Sequence, residues 1–310
     1  MSTVPTHEAF VHPALFYRSE QEYTQQTVSF LREGLAGGEP MAVAVPGPNL
    51  ELIKTGLGGD AEGILFLDMT EAGRNPGRII PKVLRGFADA HPNGRVRIIG
   101  EPIWAGRSAV EYPACAQHEA LINAAFEGRA VTILCPYDEA RLDPEVIADA
   151  RVTHPTLIAG DGRESVSDTY DWQAVVDRYN QALAPAPDAA VFSYGAEDLP
   201  VIRQFALAQA TRLGLAGERL MDVELAVAEL TTNSVVHGGG GGTLAVWAEQ
   251  GQLVCEVRDA GRLTDPLAGR RPPDRGQLGG RGLMLVHYVA DLVRHYTGDD
   301  GTTVRFYLSL

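Results

Sequence analysis

Apolar positions recur along this chain in two textures. In the first half, short unbroken runs (PMAVAVPG, GILFLDM, RVRIIGE, AVTILCPYD) alternate with stretches of helical period (TVSFLREGLAGG, PGRIIPKVLRGFADAH, PACAQHEALINAAFEG). Continuous β-branched runs mark strands buried on both faces. Their alternation with helices predicts an α/β layered domain with a mostly parallel sheet. The second half opens with two helices, DLPVIRQFALAQATRLG and ERLMDVELAVAELTTNSVVHG. GTLAVWAEQ and QLVCEVRDAG follow in hairpin spacing around Gly251, then the helix GLMLVHYVADL and the strands VRHYTGD and TTVRFYLSL. This predicts an α+β two-layer sandwich, with helices on one face of a mainly antiparallel sheet. Between the halves, Ala182 to Ala190 is rich in proline and alanine and has no hydrophobic period, the pattern of a stiff linker. The break falls near Pro185–Asp188, giving domains 1–184 and 185–310.

Composition narrows the function classes. A length of 310 residues favours two domains, and 45% apolar with 21% charged residues is an ordinary globular balance. A net charge of −14 argues against a broad nucleic-acid face, so no direct nucleic-acid partner is expected. Cys115, Cys135 and Cys255 lie far apart without CxxC spacing, which gives neither a zinc pattern nor a disulfide framework. No basic-then-apolar leader opens the chain, and no apolar run approaches the ~18–20 residues of a membrane span. The expectation is a cytoplasmic protein without a membrane partner.

Glu229 and Asn233 interrupt the apolar surface of the second helix of this half, at i and i+4 and so on one face. Alone, they fit a cap network or a solvated stripe as well as a site. RDAGR places Asp259 and Gly261 at a strand end, where a carboxylate can accept from an exocyclic amine and a glycine lets a flat ring approach. The pair is also a common turn. GGRGLMLV places Gly280 and Gly282 at a helix start, and bare amides there are a phosphate site. The loop before it gathers five arginines from Arg262 to Arg281 against two aspartates, in an acidic protein. It reads as a nucleotide lid over 262–280 or as a solvated loop.

Taken in order, these pieces resemble the ATP-binding fold of gyrase and the histidine kinases (the GHKL or Bergerat fold). The matching motifs are E-x-x-x-N at Glu229 and Asn233, DxG at Asp259 and Gly261, GxGL at Gly280, Gly282 and Leu283, and a terminal GT at Gly301 and Thr302. Within that fold the sequence is most similar to bacterial anti-sigma-factor serine kinases. The resemblance implies ATP and Mg²⁺ as cofactors. It implies Asn233 as metal ligand, Glu229 as the base for an attacking hydroxyl, and Asp259 as the reader of the adenine amine. Gly280 and Gly282 would cradle phosphates, Thr302 would lie near adenine, and Arg275 and Arg281 would stabilise γ-phosphate charge. The implied partners are a sigma factor and a STAS-domain anti-anti-sigma protein. Leu278 departs from the pattern, since some members carry arginine there. His237 reads as an end-of-helix residue rather than a phosphoacceptor, and no dimerisation helix with a phosphorylatable histidine precedes the ATPase. The competing readings are a non-catalytic, nucleotide-dependent docking module and a histidine-kinase-like ATPase.

In the first half, HPALFYRSEQEY, FLREGLAGGEP, RIIGEPIW, YPACAQHEALIN, ILCPYD and THP resemble the MEDS sensory domain. That resemblance implies a RecA/KaiC-like core that senses a small molecule and gates the second domain; a homodimer remains open. PGPNLELIK follows the first strand without GxxxxGK[ST], so no ATP hydrolysis is expected there. Polar and aromatic residues at strand ends are the pocket candidates: His12, Tyr17, Glu101, Trp104, Tyr112 and Tyr137. Edge packing is the competing reading for Trp104 and the tyrosines. His7 and His12 read as tail residues rather than a metal pair.

Overall fold

The computed structural model describes residues 10–272 and 280–310. The chain divides into two compact units. One runs to Tyr179 and leaves out Asn75–Arg78; the other takes those four residues and Asn180–Leu310.

The first unit is built on β1 (Phe10–Val11), β2 (Pro13–Tyr17), β3 (Met41–Val45), β4 (Leu65–Asp68), β5 (Val96–Gly100), β6 (Val131–Asp138), β7 (Thr156–Ile158) and β8 (Glu164–Val166). Its sheet order is β4-β3-β5-β6-β2-β7-β8, with β1 also pairing β6. All pairs are parallel except β7–β8. Every residue of β2, β3 and β6 is buried, as strands covered on both faces must be. The helices are α1 (Glu20–Ala36), α2 (Gly47–Leu57), α3 (Met69–Ala72), α4 (Arg85–Ala90), α5 (Tyr112–Ala125), α6 (Pro144–Thr153) and α7 (Trp172–Arg178). Leu15, Val43, Ile99 and Leu134 share a core with Val28 and Leu31 of α1 and Ile53 of α2. The mostly parallel sheet expected from the sequence is present, with more strands than the four apolar runs: β1, β2, β7 and β8 add to them.

The second unit contains β9 (Ala190–Gly195), β10 (Gly241–Glu249), β11 (Gln252–Asp259), β12 (Leu292–Gly298) and β13 (Gly301–Ser309), in the antiparallel order β12-β13-β11-β10-β9. Its helices are α8 (Leu199–Arg212), α9 (Arg219–His237) and α10 (Gly282–Val289). Helix α9 buries Val223, Ala226, Val227, Leu230, Thr231 and Ser234, one stripe of helical period. That stripe packs on Leu244, Val246, Leu253, Cys255 and Phe306 of the sheet. Each fully buried aliphatic or phenyl side chain of this kind contributes about 1.5–3 kcal/mol. Gly239 and Gly240 stop the helix, at φ of +91° and +99° that side chains rarely adopt. All three cysteines are free and buried. Among the described residues no helix is long and apolar enough to cross a membrane.

Candidate functional site

In the second unit, the flank of α9 beside its buried stripe carries Glu229 and Asn233, both half-buried. Across from them lies Gly282, the first residue of α10. A methyl built there would stand 2.5 Å from Glu229 Oε2 and 3.3 Å from Asn233 Nδ2. The carboxylate and the amide thus face the N-terminal end of a helix, where backbone amides carry partial positive charge. Arg281 caps α10 and is exposed, and Gly280 before it has φ +81°.

Asp259, at the end of β11, is held from two sides. Its Oδ2 accepts from the Ser234 hydroxyl at 2.6 Å, and its Oδ1 accepts from the Gly261 amide at 2.9 Å. The surroundings leave no room for a side chain. A methyl on Gly238 would run into the Asp259 carboxylate, and one on Gly261 would meet His237 O at 2.7 Å and Gly238 Cα at 2.8 Å. Thr302 closes the loop: its hydroxyl donates to Gly261 O at 2.9 Å and accepts from the Leu263 amide at 3.2 Å. Asn233 and Ser234 are successive residues of α9, so one helix borders both groups. Spacing does not mark Ser234 and Gly238 as site residues; Ser234 looks like any small residue on a buried stripe.

The arginine-rich loop is more divided than its charge suggests. Arg262 pairs with Asp299 at 3.2 Å and Arg271 with Asp265 at 2.7 Å. Arg270 is buried, with Nη2 3.0 Å from His295 Nε2. Burial and that guanidinium hold His295 down at about 3, so its ring is a neutral acceptor. Arg275 and Leu278 lie outside the described residues, as does part of the expected lid, residues 273–279.

The six candidates of the first unit fall in four places. Glu101 follows β5 and is buried; Asn49 Nδ2 lies 2.9 and 2.8 Å from its oxygens, and Tyr23 Oη donates at 3.1 Å. Burial pushes its carboxyl up to about 8, against the hydrogen bonds from Asn49 and Tyr23. Tyr17 at the end of β2 packs edge-on against Tyr23, with ring centroids 4.8 Å apart. Asn49 comes from the segment after β3 where a phosphate loop would stand; here that segment is helix α2. Trp104 stacks under Arg107, and Tyr112 donates to Asp149 at 2.8 Å beside Tyr179.

His12 and Tyr137 form the fourth place, with Glu119, Cys135 and His154, none of which spacing had singled out. All five are buried. Burial and the neighbouring His154 lower His12 to about 4. Burial raises Glu119, but the two imidazoles outweigh it and bring its carboxyl below the usual range. His7 lies outside the described residues.

Comparisons with known proteins bear on both units. Residues 11–155 match the family described as MEDS (MEthanogen/methylotroph, DcmR Sensory domain), and residues 192–308 match the Histidine kinase-like ATPase domain. No curated protein matches. Among solved structures, the Acinetobacter baumannii histidine kinase AdeS matches at 12% identity with a TM-score of 0.25, over 44% of this chain and 72% of that one. The two family matches show a sensory domain fused to a histidine kinase-like ATPase: the chain carries an N-terminal MEDS domain and a C-terminal histidine kinase-like ATPase domain of the GHKL class.

Proposed function

We propose that the second domain binds ATP with Mg²⁺ and passes the γ-phosphoryl group to a hydroxyl on a protein partner. One observation carries the reading: Glu229 and Asn233, one turn apart on α9, face the glycine that opens α10. The residues present suit the nucleotide, because Gly238, Gly261 and Gly282 keep the walls bare where a Cβ would collide with the functional groups. Bound Mg²⁺·ATP supplies an electrophilic phosphoryl group with its charge spread over oxygens. Asn233 would hold the metal through its amide oxygen. Glu229 would take the proton of the attacking hydroxyl. The first amides of α10, after Gly280 and Arg281, would meet phosphate charge. Asp259 keeps a lone pair on each oxygen beyond those that Ser234 and Gly261 occupy, enough to accept an adenine amine. Arg275 is a further candidate for γ-phosphate charge.

Within this reading the chain is an anti-sigma factor and serine/threonine kinase that acts on a STAS-type anti-anti-sigma protein. The MEDS domain, with a RecA/KaiC-like core, gates it. The helix stretch ELTTNSVVHG and the ending GGRGLMLVHYVAD…GTTVRFYL, which resemble those kinases, support this finer assignment.

Calorimetry tests the binding step. Wild type should bind ATP in millimolar Mg²⁺, and Asn233→Ala and Asp259→Asn should each lose most of that affinity. No ATP affinity in the wild type overturns the proposal. ATP binding without label transfer to any STAS protein replaces it with a docking module.

A further inference from the structure

Cys135 and Tyr137 lie on the same face of β6, because side chains alternate along a strand. Register places His12 on that face too: Val11 pairs with Thr132 and Ala14 with Cys135, so His12 stands beside Ile133. Glu119 comes from α5, and His154 follows the last turn of α6. One donor atom each from His12, Glu119, Cys135 and His154 lies within 4.8 Å of every other. Cys135 Sγ is 3.4 Å from His12 Nε2. Glu119 Oε2 is 3.6 Å from His12 Nε2 and 3.2 Å from His154 Nε2.

The hydrogen bonds around the cluster decide where its protons are. Asn123 Nδ2 donates to the carbonyls of Ala120 and Thr153, which turns its Oδ1 toward His12. His12 Nδ1, 3.2 Å from that oxygen, must therefore carry the ring proton. His154 Nδ1 lies 2.8 Å from the Ala150 carbonyl and must carry its own. With Nδ1 bonded outward, the Nε2 atom of each ring points inward, at a carboxylate and a sulfur. Among the described residues, neither oxygen of Glu119, nor His154 Nε2, nor the Tyr137 hydroxyl makes a well-aligned hydrogen bond. Four metal-ligating atoms thus converge in a buried place, with the Cys135 thiol and the Tyr137 hydroxyl as the neutral donors beside the carboxylate. Such an arrangement is costly unless a cation joins it.

We infer that His12, Glu119, Cys135 and His154 form a buried mononuclear site for a divalent transition metal, with Zn²⁺ the best match. Two imidazoles, a carboxylate and a thiolate make a four-donor set of the kind zinc takes in tetrahedral sites. Zinc bonds of about 2.0–2.3 Å place tetrahedral donors roughly 3.3–3.8 Å apart, close to the separations found here. The outward Nδ1–H bonds to Asn123 and Ala150 are the second layer that fixes a metal-binding imidazole. On loading, the Cys135 thiol gives up its proton. All four ligands come from protein, so the metal would tie the start of β2, α5, β6 and the end of α6 together. Metal occupancy would thereby set the stability of the sensory domain.

The test uses the full chain. Elemental analysis should find one zinc per chain. After chelator treatment, added Zn²⁺ should restore that stoichiometry and raise the melting temperature. Co²⁺ in its place should give a sulfur-to-cobalt charge-transfer band and the strong d–d bands of a tetrahedral site. Cys135→Ser should lose the charge-transfer band, whereas Cys255→Ser should keep it. Asn123→Ala, which leaves all four ligands in place, should weaken zinc binding about 10–100-fold. A folded wild type that takes up neither Zn²⁺ nor Co²⁺ overturns the inference, and a protonated histidine–glutamate cluster then explains the geometry. A charge-transfer band that survives Cys135→Ser overturns it as well.

Discussion

The two domains keep their ionisable groups in opposite ways. In the MEDS domain, Glu101 and the His12–Glu119–His154 group are fully buried, and burial moves their protons: Glu101 up to about 8, His12 down to about 4. In the ATPase domain, Glu229, Asn233 and Asp259 line a half-open surface. There the restraint is steric, from Gly238, Gly261 and Gly282 pressed against functional atoms. A buried charge needs a partner and changes the stability of its domain when it loses one. A carboxylate beside bare backbone can meet a large anionic ligand and release it again. The first arrangement suits a signal held in the fold, and the second suits turnover.

Three experiments sharpen this contrast. Glu229→Ala should cut phosphoryl transfer about 10²–10⁴-fold, with ATP affinity within a few fold of wild type and an unchanged melting temperature. Equal transfer rates in mutant and wild type would remove Glu229 as the base.

Glu101 should govern the pH dependence of stability in the first domain. Its folded-state value, about 8, lies above the ordinary 4.5, so the folded chain keeps a proton that the unfolded chain releases. That contribution is fully present below about pH 4.5 and is lost as pH rises through about 8. Glu101→Gln should flatten the decline across this window, by on the order of a few kcal/mol. Denaturant unfolding at several pH values measures it, and parallel curves for the two proteins would contradict it.

The smallest effect belongs to the open site. Gly261→Ala forces a methyl against His237 O and Gly238 Cα, both backbone atoms that cannot step aside. It should cost about 1–3 kcal/mol of ATPase-domain stability and weaken ATP binding. An unchanged unfolding midpoint would show that the loop gives way freely.

The same contrast explains what could be read from sequence. Glu229 and Asn233 are one helical turn apart, and Asp259 and Gly261 are two residues apart, so local spacing displays them. The ligands His12, Glu119, Cys135 and His154 come from four separate segments, and parallel-strand register brings them together; no spacing rule sees that. The fold divides likewise. MAVAV and AVTILCPYD announce buried strands. PALFY begins with proline and is buried on both faces, so β2 shows neither alternation nor length. The segments of β7 and β8 have three residues each, too short to carry a period. Strand β9 begins at Ala190, the last residue of the alanine-rich linker, so that composition hides its start.

One side chain at the start of the second unit has a practical consequence for cutting and grafting this protein. Asn180 donates to the Thr297 carbonyl at 2.8 Å and accepts from the Thr297 amide at 3.0 Å. Its amide thus imitates the backbone of a further strand and shields the rim of edge strand β12. The Thr297 hydroxyl in turn lies 3.1 Å from that of Thr302 and accepts from the Leu263 amide at 3.1 Å, at the edge of the candidate nucleotide site. Leu183 and Ala184 add carbonyl acceptors for Arg258 and Arg305. A fragment excised at Pro185 leaves this clasp behind, with a raw sheet rim and two arginines each short of one carbonyl acceptor, left to Glu256 alone. Chimeras that place a different sensor ahead of this ATPase should be joined before Asn180, so that the clasp travels with the module it closes.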